Sequence, residues 1–524
     1  MSRTERWTLI AAILGSGIVF LDSTVVNVAL PKIGVELPSR TFAVLEGQSY
    51  VNNGYLVTLS ALLILAGALN DLYGRKRMFT VGLAGFLVTS VLCGLAPNLE
   101  LLVLFRVLQG TAGALLVPGS LALLTVTFSG EAQGRAFGLW AGASAATTIV
   151  GPFLGGILVD TLSWRVAFLI NVPLCIVALW ATAMFVRESR DETASRSLDW
   201  LGATVVALAV GGLSFGTIYE QQRLWRDPFG FALLAVGVAA TIALPFLMTK
   251  RRNPLIPPEL FRSRNFTVTN ISTFLIYGAL YIVGNFLTLF VQGTIGFTAA
   301  AAGLGFIPSG LFLVFLSSRF GALAARYGPR RFMAIGPAIM TLAVLWYARI
   351  PETTSPWLFA PNDPTSWVPP TTYVIDFLPA SLLFGFGLSI MVAPLTTALM
   401  TSVPQHNSGI ASAINNAISR VGSPLAGALI FVAVTASFYA GLQMRVPSLD
   451  LNDEQIRLSI SPLNVQRGKA DPQLVAAERE ASTDAFHLAM LIGAGLFAAG
   501  TVVNAVGIRE PQAQTRAEPT HARA

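Results

Sequence analysis

Two charged residues lie deep inside apolar segments of the sequence, where a charge is rare. Asp22 interrupts a hydrophobic run that starts near Trp7, and Arg106 interrupts another that starts near Leu99. If both runs are helices with a rise of 1.5 Å per residue, Asp22 lies about 22 Å from one face of the membrane and Arg106 about 10 Å from the other, in a core about 30 Å thick. The two side chains are therefore expected at about the same depth.

A carboxylate and a guanidinium at that depth could hold and release a proton. Burial favours the neutral acid, whereas a nearby guanidinium favours the carboxylate, so a change of surroundings can move a proton on or off Asp22. An intramembrane charge costs at least a few kcal/mol, and such residues therefore face a cavity or a partner. We predict that Asp22 and Arg106 line one cavity and couple protonation to conformation. A static pair that only holds helices together is the alternative.

The composition indicates that membrane-spanning helices carry these residues. The chain has 524 residues, of which 54% are hydrophobic and 12% are charged, and its mean hydropathy is +0.65. Soluble proteins carry roughly 25% charged residues, so a polytopic membrane protein is predicted instead. The net charge of +7 is attributed to orientation in the membrane and not to nucleic-acid binding. Cys93 and Cys175 lie in apolar runs, which indicates packing and not a disulfide framework or a metal site.

Fourteen apolar segments are long enough to cross a bilayer, which takes about 20 residues per helix. With the N-terminus in the cytoplasm, 21 lysine and arginine residues fall in cytoplasmic segments and six in the short loops opposite, so both termini are expected in the cytoplasm. The predicted spans lie near residues 7–29, 47–69, 78–96, 99–119, 135–158, 166–186, 199–219, 228–248, 266–291, 300–320, 332–350, 373–400, 408–436 and 485–507.

An internal repeat divides the chain. Residues 67–77 recur as residues 321–331, and residues 152–155 recur as residues 424–427. Two homologous six-helix halves with a site between them are the design of many secondary transporters. We therefore expect an all-α integral membrane protein with two six-helix bundles and two extra transmembrane helices. The expected divisions are an N-terminal bundle (1–190), two inserted helices with cytoplasmic linkers (191–264), a C-terminal bundle (265–507) with extracytoplasmic loops 351–372 and 440–484, and a cytoplasmic tail (508–524).

Four segments, in this order, resemble the major facilitator superfamily, and specifically its 14-helix drug:proton antiporters of the EmrB/QacA type. They are Leu21–Pro31 in helix 1, Gly67–Arg77 between helices 2 and 3, Arg106–Gly113 in helix 4 and Gly142–Gly156 in helix 5. The resemblance spans the whole chain. It implies the major facilitator fold, with Asp22 and Arg106 in one cavity.

The resemblance also implies a latch between the two halves on the cytoplasmic side. The acid of this loop is expected at a helix N-terminus, where a carboxylate is favourable, and Gly74 is expected at a backbone position of positive φ. Ala325 stands where the second copy of the loop would have the acid, so the first copy should dominate. An anchor of positive charge on the cytoplasmic side is the alternative. The latch residues are Gly67, Asp71, Gly74, Arg75 and Arg77.

Helix 5 carries small residues at a spacing that lets helices touch backbone to backbone. In the family this helix packs against the other half and seals one face, and its presence favours export over uptake by resemblance. Tight helix packing alone is the alternative, and it is compatible with such a function. The residues that match this antiporter motif are Gly142, Gly151, Pro152, Gly155 and Gly156.

Neutral polar residues inside apolar helices are the candidates for substrate contact. Tyr277, Tyr281 and Asn285 are four residues apart and share one helix face. Hydrogen bonding between helices would explain such residues equally well. The candidates are Asn27, Asn53, Tyr55, Gln109, Tyr277, Tyr281, Asn285 and Asn415.

Together these features predict a proton-coupled secondary transporter that exports drugs or other amphipathic small molecules across the bacterial cytoplasmic membrane by alternating access. Asp22, as the sole deep carboxylate, would attract cations, although a neutral cargo is also open. A dedicated exporter of an endogenous metabolite or lipid, and a proton-coupled nutrient importer, are the alternatives within transport.

The sequence favours no enzyme. It contains no G-x-x-x-x-G-K-[ST] phosphate loop, and its histidines form no H-E-x-x-H or catalytic-triad pattern. A membrane-embedded enzyme or a sensor would need a catalytic cluster or an effector domain, and neither is visible. No cofactor or metal is predicted. The expected partners are an amphipathic small molecule, protons and membrane lipid, without nucleic acid, and the protein is expected to be a monomer.

Overall fold

A computed structural model describes residues 1–38, 44–190, 198–222, 225–251, 253–360, 362–451, 460, 462–465 and 471–509. The regular secondary structure of the described residues is helical, and none of these residues forms an extended strand. The predicted all-α fold class is therefore confirmed. The predicted tail beyond Arg509 and the start of the linker, residues 191–197, lie outside the described residues.

Long helices occupy all fourteen positions predicted from hydropathy. Twelve of the described helical segments are long and apolar enough to cross a membrane; α5 and α11 are not among them, so the total of fourteen crossings stays a prediction. The helices are α1 (Arg3–Glu36), α2 (Val44–Tyr73), α3 (Arg75–Gly94), α4 (Leu99–Thr127), α5 (Gly130–Thr161), α6 (Asn171–Phe185), α7 (Trp200–Gln222), α8 (Pro228–Lys250), α9 (Arg264–Leu289), α10 (Ala299–Tyr327), α11 (Arg330–Tyr347), α12 (Leu378–Thr401), α13 (Ser408–Arg445) and α14 (Pro472–Gly507).

Two helix pairs make the most extensive contacts between the first half of the chain and the second. Helix α5 packs along α10, and α2 packs along α13. The hairpin of α7 and α8 lies beside the second pair, because α7 contacts both α2 and α13. One large apolar cluster is built from α9 to α14, and another joins α1 to α8 with the ends of α12 and α13. The division into two bundles with an inserted hairpin remains our proposal for the domain organisation.

Glycines end the helices at equivalent points of the internal repeat. Gly74 follows α2 with φ +104°, and Gly328 follows α10 with φ +86°. Residues with a Cβ rarely adopt these angles, so the glycines allow the sharp turns that start α3 and α11. The positive φ expected for Gly74 is confirmed.

The loop predicted at 440–484 is shorter than hydropathy indicates. Helix α13 continues to Arg445 and α14 begins at Pro472. The extended ends meet through Arg445, which donates hydrogen bonds of 2.7 Å each to the carboxylates of Glu480 and Asp484. A hydropathy window detects only the apolar part of a helix, so it cannot place these polar helix ends.

Candidate functional site

The structure brings Asp22 and Arg106 into direct contact. Helices α1 and α4 present the two side chains to each other, and the Nη1 atom of Arg106 lies 2.5 Å from the Oδ2 atom of Asp22. Both side chains are fully buried. A charge-assisted hydrogen bond of this kind is among the strongest that side chains form.

Neutral side chains from α3, α4 and α6 complete a network around the pair. The second oxygen of Asp22, Oδ1, accepts hydrogen bonds from Gln109 (3.1 Å) and Asn171 (2.9 Å). Both of these amides also donate to the hydroxyl of Ser90, and Gln109 accepts a bond of 2.8 Å from Arg106. Every hydrogen bond to Asp22 is therefore one that a charged carboxylate can accept.

Sequence reasoning gave no role to Asn171 or Ser90 in this network. Asn171 opens an apolar helix and could have been found as a polar residue in a membrane segment. Ser90 gives no such signal, because a serine can satisfy its hydroxyl by bonding to the backbone of its own helix.

The ring of Tyr55 separates this network from the space between the two halves. The guanidinium carbon of Arg106 lies 4.1 Å from the centre of that ring, a cation–π contact. The hydroxyl of Tyr55 donates to the backbone carbonyl of Val19 at 3.1 Å, which fixes the ring in place. Tyr55 lines the central cavity, whereas Asp22 and Arg106 are not among the described residues that line it. The expectation that the pair lines the cavity is therefore wrong in this conformation.

A cavity of about 1100 Å³ lies between helices of both halves. Ligand pockets of roughly 300–1000 Å³ hold drug-sized molecules, so this cavity is large enough for one. The inserted helix α7 also reaches it through Ser214. The wall is largely apolar and aromatic, with neutral polar groups that include the predicted substrate contacts Asn27, Asn53, Tyr55, Tyr277, Tyr281 and Asn285.

Two predicted substrate contacts, Gln109 and Asn415, are not among the described residues of the cavity wall. Gln109 belongs to the network around Asp22. The amide of Asn415 donates to the side-chain oxygens of Asn270 (3.1 Å) and Thr273 (2.7 Å), so it joins α13 to α9. Its neighbour Asn416 faces the cavity, since consecutive side chains of a helix point about 100° apart.

One charged residue, Arg420 of α13, stands among the described residues of the cavity wall. Sequence reasoning gave it no role. The available signal was the one that identified Arg106, an arginine inside an apolar helix.

The turn between α2 and α3 makes a charged contact with the start of α13. Asp71 accepts a hydrogen bond of 3.0 Å from Arg75 through one oxygen and a bond of 3.0 Å from the backbone N–H of Ile410 through the other. Arg75 in turn donates to the carbonyl of Gln405 at 2.7 Å. The acid thus lies at the N-terminus of α13, where the helix dipole favours negative charge.

Two other predicted latch residues contribute through the backbone. A Cβ on Gly67 would lie 2.6 Å from the carbonyl oxygen of Gly409, so the glycine permits the close approach of α2 and α13. The backbone N–H of Arg77 donates to Glu188 at 3.0 Å, while the Arg77 side chain is exposed. In the second copy of the loop, Ala325 packs beside Gly134 of α5.

The antiporter motif of α5 faces two different helices. A Cβ on Gly142 would lie 3.2 Å from a backbone oxygen of α10, whereas Gly151 and Gly155 face Thr24 and Val25 of α1. Between them these glycines let α5 touch both its own half and the other one. Pro152 and Gly156 lie within α5, and their surroundings are outside the described part of the structure.

The remaining reactive side chains give no sign of a second kind of site. Cys93 and Cys175 are buried free thiols, in agreement with the packing role predicted for them. Among the described residues, no group of three or more His, Cys, Asp or Glu side chains is placed to hold a metal ion.

Comparison with known proteins identifies the family. The model of the Major Facilitator Superfamily matches residues 12–427. The chain is 31% identical to the multidrug resistance protein Stp of Mycobacterium tuberculosis over 84% of this chain and 78% of that protein. It is 31% identical to the tetracenomycin C resistance and export protein of Streptomyces glaucescens over 83% of this chain and 77% of that protein.

A solved structure agrees with this fold. The human organic anion transporter MFSD10 (TETRAN) superposes with a TM-score of 0.59 over 96% of this chain and 100% of that chain. At 15% sequence identity this likeness concerns the fold alone. The protein is thus a multi-pass membrane transporter and not an enzyme, and it belongs to the major facilitator superfamily.

Proposed function

We propose that this protein is a proton-coupled exporter of drugs or other amphipathic small molecules, working as a monomer by alternating access in the bacterial cytoplasmic membrane with both termini in the cytoplasm. The observation that carries the proposal is a drug-sized cavity between the two halves, one tyrosine ring away from a buried acid and its guanidinium. Relatives named for multidrug resistance and for tetracenomycin C export support the direction of transport and the kind of cargo.

Proton coupling rests on Asp22. In the present conformation its carboxylate accepts three hydrogen bonds from neighbouring side chains and is fully buried, so water does not reach it. Protonation would remove the charge that holds Arg106, so the network would have to rearrange. Proton exchange therefore belongs to a conformation in which this part of the bundle opens.

The contact between Asp71 and the start of α13 would set which side of the cavity opens. It joins the α2–α3 turn to α13 by hydrogen bonds at buried atoms. Opening of that side requires these bonds to break, so the loop acts as a latch between the halves. The exposed Arg77 would contribute positive charge on the cytoplasmic face.

The energy of one proton is sufficient for this work. A proton that moves down a potential of about 100 mV releases about 2.3 kcal/mol. That free energy concentrates a neutral substrate roughly fifty-fold.

The test is dye efflux in everted membrane vesicles energised by a proton gradient. Asp22→Asn keeps the shape of the side chain but removes the titrating group. We expect it to abolish gradient-driven transport while downhill movement of the dye persists. The control is Asp363→Asn, a change to a loop carboxylate outside the membrane helices. Full gradient-driven transport by the Asp22→Asn protein at normal expression would overturn the coupling role.

A dedicated exporter of one endogenous metabolite is the second candidate. The named specificity of the Streptomyces glaucescens relative favours it. A growth-inhibition panel in a strain without its own pumps separates the two. Protection against many unrelated compounds supports multidrug export, and protection against one chemical class supports a dedicated exporter.

A further inference from the structure

Arg420 places an uncompensated positive charge on the wall of the central cavity. No hydrogen bond or ion pair joins its guanidinium to any residue that the structure describes, and no aspartate, glutamate or lysine is among the described lining residues. The titratable groups that interact with it electrostatically are the phenols of Tyr55 and Tyr277, which are neutral at physiological pH.

The buried acid Asp22 is not available as an ion-pair partner for Arg420. Asp22 already pairs with Arg106 and receives two further hydrogen bonds. The ring of Tyr55 lies over Arg106 on the side of the cavity. Asp22 and Arg106 cancel each other in charge, so Arg420 leaves this region with a net charge of +1.

We propose that Arg420 binds the acidic group of the transported molecule, and that the cavity therefore takes amphipathic anions such as carboxylates, sulfonates or ionised phenols. This inference rests on the proposed transport function and specifies its substrate class. An arginine inside the membrane needs a partner, and the planar guanidinium matches an oxyanion through two parallel hydrogen bonds.

The rest of the cavity suits the remainder of such a molecule. Phe20, Leu280 and Phe306 supply apolar and aromatic wall, and Asn285 and Asn416 add neutral polar groups. An anion with an aromatic body would place its acid at Arg420 and its rings against these side chains. The cavity is thus proposed to prefer anions, whereas the sequence analysis expected Asp22 to attract cations.

The experiment compares three probes of one shape on the purified full-length protein in phosphatidylcholine nanodiscs, with empty nanodiscs as the blank. The probes are 1-pyrenebutyrate, its methyl ester and pyrenebutyl-trimethylammonium, and the readout is the dissociation constant. We expect the carboxylate to bind at least about tenfold more tightly than the ester, as charged hydrogen bonds allow, and the cation to bind most weakly. Equal binding of carboxylate and ester, tighter binding of the cation, or no binding of the carboxylate overturns the proposal.

Variants of Arg420 test whether this residue causes the preference for the carboxylate probe over the ester. Arg420→Gln should abolish the difference between carboxylate and ester, whereas Arg420→Lys should keep most of it. Arg135→Gln is the control, because Arg135 is exposed in an ion pair with Glu131 and does not line the cavity. An unchanged carboxylate preference in a folded Arg420→Gln protein overturns the proposal. The wild-type comparison of the three probes tests it even if that variant does not fold.

The acidic group could belong to a free small molecule or to a lipid headgroup. Nanodiscs that also contain phosphatidylglycerol distinguish these sources, because a lipid ligand would compete with pyrenebutyrate in the wild type. Competition supports a lipid anion at Arg420, and its absence supports a free anion. Binding is measured without a proton gradient, so its failure leaves the coupling test on Asp22 unaffected.

Discussion

Three arginines illustrate how surroundings decide what a guanidinium can do. Arg106 is fully buried with a carboxylate and a tyrosine ring as partners. Arg75 bridges Asp71 and a backbone carbonyl at a contact between helices. Arg420 faces open space between the halves. The first is suited to holding a network together, the second to closing a turn and the third to receiving a ligand.

For the buried pair of Asp22 and Arg106, we predict that one substitution destabilises the protein more than two substitutions together. Arg106→Gln leaves the Asp22 carboxylate buried without its cation, and removal of one partner of a buried ion pair costs about 3–5 kcal/mol. We expect a large fall in melting temperature of the detergent-purified protein. The double change Arg106→Gln with Asp22→Asn should recover most of that loss, because no unpaired charge remains. Equal melting temperatures for the single and double variants would contradict this reading.

At the scale of elements, α5 is the helix that links the halves most closely. Its first part lies against the backbone of α10, and its later part lies against α1. The hydroxyl of Ser317 on α10 donates to the backbone carbonyl of Gly138 at 2.7 Å. Such close packing depends on glycine, since any side chain would push the helices apart.

A methyl group at this contact should disturb the structure. Gly138→Ala would place its Cβ against backbone atoms of Ser317 and Ser318. We expect overpacking to cost about 1–3 kcal/mol and to lower both melting temperature and dye efflux. Gly284→Ala is the matched control, because a Cβ there meets nothing within 4 Å. Comparable losses in both variants would show that the contact with α10 is not responsible, because alanine is a better helix former than glycine at both positions.

The α2–α3 turn offers a second matched pair. Asp71–Arg75 and Glu131–Arg135 are both ion pairs four residues apart, but the first is buried and the second is exposed. We expect Asp71→Asn to increase labelling of a cysteine placed at Ser408, which is buried at the start of α13, since α13 would be released, while Glu131→Gln should leave labelling unchanged. Exposed pairs contribute little in general. Equal labelling of the Asp71→Asn protein and the parent protein would exclude the latch.

The sequence predicted the positions of the helices better than it predicted which polar residues line the cavity and which belong to the network around Asp22. Apolar runs determined all fourteen helix positions, because the length of a span is fixed by the bilayer. Equal depth correctly brought Asp22 near Arg106, but depth does not tell which side of a helix faces the cavity. The rotation of α4 and α13 decides that Gln109 and Asn415 bond within the protein, and it depends on packing partners distant in sequence.

At the scale of the whole molecule, the arrangement of charge predicts the topology. Basic residues concentrate in loops on the side of the N-terminus, and this bias orients membrane proteins. We expect alkaline phosphatase to be active when fused in the 351–372 loop and inactive when fused after Lys76 or at the C-terminus. A green fluorescent protein fusion should give the opposite pattern. An active phosphatase at the C-terminus would refute the proposed orientation.

The ring of Tyr55 has a consequence for how resistance could evolve. If cargo binds in the cavity and the proton at Asp22, as proposed, the Tyr55 ring keeps the two apart, and coupling between them must pass through movement of α2. Substitutions on the cavity wall, at Arg420 or its neighbours, would then alter the range of exported compounds while the residues of the Asp22 network stay unchanged. A few substitutions of cavity-lining residues would in this way give the same proton-coupled transporter a new range of substrates.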